Sequence, residues 1–174
     1  VLIPGDDEPI DALVVGTDTT TDVAVLKVDR DDLPYVTLGD SDALQVGELA
    51  VAIGNPFGDL AGTVTTGVIS ALDRSITISN STYNLLQTDA SINSGNSGGP
   101  LVNSYGEVIG ITNAKVSEGE GIGFAIPIND IKDIIEELIN NGYVSGRPIM
   151  GIAVTTVDEE ASETYGFAQG VYIR

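Results

Sequence analysis

Up to about residue 128 this chain is written as short apolar runs separated by Gly, Pro, Asn and Asp, and that punctuation constrains its fold most. The runs are Ala12–Val15, Val23–Val28, Leu49–Ile53, Thr63–Ala71, Tyr83–Gln87, Val108–Ile111 and Gly123–Ile126. Apolar segments this short, bounded by turn residues, read as strands of a sandwich or barrel, so the expected class is all-β. Asn103-Ser104-Tyr105-Gly106 is a hairpin signal that returns the chain from Leu101-Val102 to Val108-Ile109. One C-terminal helix stands out. Asn129 is its expected N-cap, Ile131, Ile134, Ile135, Leu138 and Ile139 share one face, and Gly142 stops it. That stripe is core packing and carries no chemistry of its own.

After the helix, Tyr143-Val144-Ser145-Gly146-Arg147-Pro148 forms a polar joint. A fresh apolar stretch follows at Ile149–Val154, and the chain ends in a strand-like segment at Gly170–Ile173. The expected organisation is a first domain over 1–142, a linker over 143–148 and the beginning of a second domain over 149–174. A length of 174 residues suits one domain plus the start of another. The first residue is Val1, which begins in strand-like sequence, so the chain is expected to be part of something longer.

A net charge of -19 argues against nucleic acid as a partner, because phosphate binding needs clustered Lys and Arg. Such acidity fits a solvated, mutually repulsive surface; electrostatic preference for basic substrates and weak calcium sites are the alternatives. There is no cysteine, hence no disulfide and no thiolate zinc site. No stretch resembles a signal peptide or a membrane span.

The chemistry is concentrated in Gly95-Asn96-Ser97-Gly98-Gly99-Pro100, in a sequence that contains no histidine. Glycines on both sides of a serine let the backbone bend so that two N–H groups can face one substrate oxygen. A serine nucleophile also needs a base to take its proton. The letters fit the G-x-S-x-G elbow of the α/β-hydrolases, but that elbow needs a helix after the serine. Here Pro100 and the strand Leu101-Val102 follow instead. A phosphate-binding loop would need a following Lys and a helix, and neither is present. A glycine-rich turn with an incidental serine is the remaining alternative.

The surroundings decide between these readings. Gln87-Thr88-Asp89-Ala90-Ser91-Ile92-Asn93-Ser94 leads into the motif and Leu101-Val102-Asn103 leads out. With Ala52-Ile53-Gly54-Asn55-Pro56-Phe57-Gly58, Thr66-Gly67-Val68-Ile69-Ser70 and Gly121-Ile122-Gly123-Phe124-Ala125-Ile126-Pro127, the chain resembles the HtrA/DegP family of trypsin-like serine proteases. The resemblance covers essentially the whole chain in order. It implies a trypsin-like double antiparallel β-barrel, the first barrel incomplete here, with one C-terminal helix, followed by the beginning of a PDZ domain.

By that resemblance Ser97 is the nucleophile, and the N–H groups of Gly95 and Ser97 form the oxyanion hole, with Asn96 holding the turn between them. Thr21-Asp22-Val23-Ala24-Val25-Leu26-Lys27 resembles the catalytic-aspartate strand, which makes Asp22 the residue that orients the histidine. The family's histidine lies upstream of that strand, so truncation explains its absence. A homologue that has lost the residue, or an N-terminal part carried on a separate chain, are the alternatives. The residue six before the nucleophile, Ser91, marks the base of the specificity pocket, and Ile92 and Ile122 would make that pocket small and apolar. Both isoleucines are equally readable as core residues. Ile149-Met150-Gly151-Ile152 resembles the carboxylate-binding loop of PDZ domains.

The expected function is an extracytoplasmic serine endopeptidase of HtrA type that degrades unfolded or misfolded proteins, inactive as this fragment for want of its base. By the resemblance, peptide C-termini would bind a complete PDZ domain, and the longer protein would be a homo-trimer that can be anchored to a membrane through a segment outside this chain. No cofactor or metal is implied. The alternative is a non-catalytic, protease-like scaffold that binds misfolded or C-terminal peptides. The loops Asn55–Ala61, Ser91–Ser94 and Ala114–Gly121 resemble those that switch HtrA activity.

Overall fold

The structure is a computed structural model and describes residues 1–3, 5–6, 8–55, 62–78, 81–113, 121–147, 151–152 and 154–173. It divides into two compact units, Val1–Val144 and Ser145–Arg174.

The first unit opens with an antiparallel hairpin of β1 (Ala12–Asp18) and β2 (Val23–Val28). A closed six-stranded barrel follows, built from β3 (Leu49–Gly54), β4 (Thr63–Ile78), β5 (Ser81–Thr88), β6 (Pro100–Val102), β7 (Val108–Asn113) and β8 (Gly123–Pro127). The strands close in the order β3-β4-β5-β8-β7-β6. The helix α1 (Ile128–Asn141) leaves β8 directly.

Alternation along the strands explains how this barrel fills its inside and also supports a helix outside. Ala50, Ala52, Ile69, Leu86, Leu101, Ile109 and Ala125 come from all six strands and pack with Leu44 and Ile92 as the barrel interior. Their neighbours Leu85, Val102, Val108, Phe124 and Ile126 face the other way, onto Ile128, Ile131 and Leu138 of α1 and Val23 of β2. Each fully buried aliphatic side chain of this kind contributes about 1.5–3 kcal/mol. The hairpin is seated at Gly16, where an added Cβ would lie 2.6 Å from the carbonyl oxygen of Gly142 and 3.0 Å from Leu138 Cδ2. Only a residue without a side chain lets β1 come that close to the end of α1.

Several expectations need correction. The helix begins one residue earlier than its expected cap, with Pro127 at the N-cap and no side-chain capping bond. Asn129 lies inside the first turn, and its N–H donates to Ser41 Oγ at 3.0 Å, a cap supplied from a distant segment. Gly142 does end the helix, in the left-handed region, with its N–H on Leu138 O. β4 runs far beyond Ala71, as one 16-residue strand broken by register shifts around Ala71.

The second unit contains β9 (Val154–Val157), α2 (Glu159–Tyr165) and β10 (Gly170–Ile173), with β9 and β10 paired antiparallel. Among the described residues there are therefore two helices where one was expected. α2 is signalled by Asp158, whose side chain accepts from Ala161 N–H at 2.9 Å, and by Gly166 in the left-handed C-cap. Two helical turns are too short to show an amphipathic stripe, so the strand pattern around them dominates the reading.

Candidate active site

Ser97 lies on an exposed turn that hydrogen bonds clamp to the barrel from two sides. On the β3 side, Asn55 N–H donates to Gly95 O at 2.8 Å. A Cβ on Gly99 would stand 2.1 Å from Ile53 O, so this approach admits only glycine. On the β7 side, Gly98 N–H donates to Thr112 O at 2.8 Å and Thr112 N–H to Gly99 O at 2.9 Å. The Thr112 hydroxyl bonds to Asn96 O and reaches Gly99 O at 3.1 Å.

Asn96, 2% exposed, pins the turn from within. Its Oδ1 accepts from Asn93 N–H at 2.9 Å, and its Nδ2 donates to Ser91 O at 2.7 Å. Thr65 Oγ1 donates to the same Ser91 carbonyl at 2.9 Å. The two amides expected to form an oxyanion hole are engaged within the turn. Gly95 N–H donates to Asn93 Oδ1 at 2.9 Å and Ser97 N–H to Asn93 O at 3.1 Å. Asn93 thus holds both donors, a role that the sequence reading missed. Only the Asn-x-x-Asn spacing of Asn93 and Asn96 hinted at it.

Asp22 lies in the turn immediately before β2, with φ of 60°. Asp is one of the few side chains that tolerate this left-handed conformation. The preceding residues are held by the buried carboxylate of Asp18, which accepts from Thr20 N–H at 3.3 Å, Thr21 N–H at 3.2 Å and Thr21 Oγ1 at 2.5 Å. The buried Asn113 at the end of β7 donates from Nδ2 to Asp22 Oδ2 at 3.4 Å. Asp22 and the Ser97 turn are therefore tied to consecutive residues of one strand, Asn113 and Thr112.

The three residues expected to line a specificity pocket are not placed alike. Ile92 is part of the barrel interior, Ile122 is 43% exposed, and Ser91 is exposed with its carbonyl taken by Asn96 and Thr65. Of the expected PDZ loop, Gly151 (φ 67°) and Ile152 are exposed, while Ile149 and Met150 lie outside the described residues. So do residues 56–61 and 114–120 of the expected switching loops. Among the described residues no three acidic side chains are grouped to hold a metal ion, and no helix is long and apolar enough to cross a membrane.

A family model described as a trypsin-like peptidase domain matches residues 2–111. The serine protease Do-like HtrA of Bacillus subtilis is 44% identical over 186 residues, covering 97% of this chain and 41% of the relative. A probable periplasmic serine endoprotease, DegP-like, of Rickettsia prowazekii is 48% identical over 162 residues, covering 90% of this chain and 31% of the relative. A solved structure of the HtrA-type protease AlgW with a decapeptide superimposes with a TM-score of 0.73 at 42% identity, covering 94% of this chain and 51% of that one. The chain thus spans between about a third and a half of the length of these relatives. With its barrel, its serine turn and this match together, the chain belongs to the trypsin-like serine proteases of HtrA/DegP type.

Proposed function

We propose that this chain is the nucleophile-bearing part of a serine endopeptidase that cleaves unfolded or misfolded proteins outside the cytoplasm. The observation that carries this reading is the convergence on β7, where Thr112 holds the Ser97 turn and Asn113 holds Asp22.

The Oγ of Ser97 attacks the scissile carbonyl carbon, and its proton passes to a histidine. Asp22 orients that histidine and stabilises its cation. The amides of Gly95 and Ser97 take the oxyanion once Asn93 has turned away. The C–N bond then breaks as the histidine returns the proton to the leaving amine, and water later hydrolyses the Ser97 ester. The sequence contains no histidine, so the base comes from outside residues 1–174, and the chain by itself does not turn over peptides. Of the three residues expected to line the specificity pocket, Ser91 and Ile122 are exposed and would meet substrate side chains, favouring small aliphatic ones, whereas Ile92 is buried in the barrel interior.

The AlgW structure with a bound decapeptide supports a peptide or protein substrate, and the periplasmic character of the Rickettsia relative supports an extracytoplasmic site of action. Residues 149–174 are read as the beginning of a PDZ domain that takes peptide C-termini when complete, and the longer protein is read as a homo-trimer anchored to a membrane.

The engagement of both amides by Asn93 favours a second reading, a peptide-binding scaffold without catalysis. Fluorophosphonate labelling of the protein carrying its histidine separates the two. The peptidase labels at Ser97 and its Ser97→Ala variant does not; absence of label on the wild type in the presence of peptide substrate rejects catalysis.

A further inference from the structure

We infer that Thr112 is a positioning residue: its hydroxyl sets the plane of the Asn96–Ser97 peptide and so aims the Ser97 N–H. This rests on the reading of Ser97 as nucleophile and oxyanion donor.

A peptide unit is a rigid plate, with its C=O and N–H directed to opposite sides. Fixing the Asn96 carbonyl therefore fixes the direction of the Ser97 N–H. That carbonyl accepts from the Thr112 hydroxyl and from Gly99 N–H, the latter at 2.9 Å. Thr112 is 2% exposed, and both its backbone groups are bound to the turn, so water does not compete for the hydroxyl.

The other side of the same plate is held differently. Ser97 N–H donates to the carbonyl of Asn93, an exposed residue that also takes Gly95 N–H on its side chain. The peptide is thus fixed at its buried carbonyl and only lightly occupied at its outward N–H. When a substrate oxygen displaces Asn93, the Thr112 bond keeps the Ser97 N–H on the same line. Orientation before the reaction, rather than a new contact made during it, is what gives such a donor its effect on rate.

Two substitutions isolate the hydroxyl. Thr112→Val keeps the shape and removes the O–H, while Thr112→Ser keeps the O–H and removes the methyl. In the 174-residue chain, NMR should show Thr112→Val moving the Asn96 carbonyl-carbon and Ser97 amide resonances, with Ala50 and Ala125 in the barrel unmoved. Thr112→Ser should leave all four near their wild-type positions. In the protein carrying its histidine, Thr112→Val should lower kcat about 10-fold with KM little changed, and Thr112→Ser should retain most of the rate. Wild-type resonances or a wild-type kcat in Thr112→Val overturn the proposal. So does a Thr112→Ser variant as impaired as Thr112→Val, which would assign the effect to the methyl. If Thr112→Val shifts the resonances but the wild-type protein never labels with fluorophosphonate, the peptidase reading fails and the positioning of the peptide stands.

Discussion

The two halves of the candidate site are supported in different ways. The Ser97 turn is bonded to β3 and β7, two strands of a closed barrel whose interior is filled from every strand. Asp22 belongs to a two-stranded hairpin that leaves Leu13, Val14 and Leu26 more than half exposed. That hairpin rests on the barrel through Val23 and Val25 and on α1 through Gly16. A side chain on a closed barrel inherits the rigidity of the core, whereas one on a narrow hairpin depends on local bonds such as those of Asp18. The nucleophile is therefore pre-set by the global fold and the carboxylate by its own turn.

Gly99→Ala tests the stronger side of that contrast. The new Cβ has backbone as its nearest neighbour, so the turn or β3 must shift, at a cost of about 1–3 kcal/mol. Because the turn is continuous with the barrel, the loss should appear in global denaturant unfolding. An unchanged midpoint would show that the turn moves independently of the barrel.

Asp18→Ala tests the weaker side. It strips Thr20 and Thr21 of their acceptor, worth about 1–2 kcal/mol locally. Amide exchange at Thr20, Thr21 and Asp22 should accelerate while β7 and β8 keep their protection. Equal acceleration in β8 would break the distinction between the halves.

The smallest effect is expected at the start of α1. Burial, reinforced by the like charges of Asp42 and Asp73, pushes the Asp130 carboxyl above its ordinary range. The folded state then holds this proton more tightly than the unfolded state, so ionisation of Asp130 weakens folding at neutral pH. Asp130→Asn should raise the thermal midpoint slightly at pH 7, and the gain should vanish as pH falls through the raised pKa. Since both halves of the site share α1 as a support, the serine turn and the hairpin should respond together. A gain that persists in acid would rule out the charge explanation.

Much of the fold could be read from the chain because its signals are local. The hairpin at Asn103–Gly106 and the stop at Gly142 follow from residues that adopt particular backbone angles. The serine turn was legible for the same reason. What remained hidden depends on partners far along the chain. Asn129 looked like a cap because Asn usually caps with its own side chain, yet Ser41 satisfies its N–H from another segment. Ile92 could be pocket or core on sequence grounds, and it packs in the barrel interior because Gly123 leaves room there. For Asn93 the Asn-x-x-Asn spacing was only a hint, because holding both amides requires the turn to be closed on itself.

The sequence by itself determined the strand class, the single long helix, the serine turn and the family, because periodicity, turn chemistry and motif order are written in adjacent residues. Tertiary structure alone decided that Asp22 meets Asn113 and that Thr112 grips Asn96. Those contacts join residues separated by 91 and 16 positions, brought within hydrogen-bonding distance by the packing of the hairpin and the serine turn against β7, and such long-range pairing leaves no local mark in the chain.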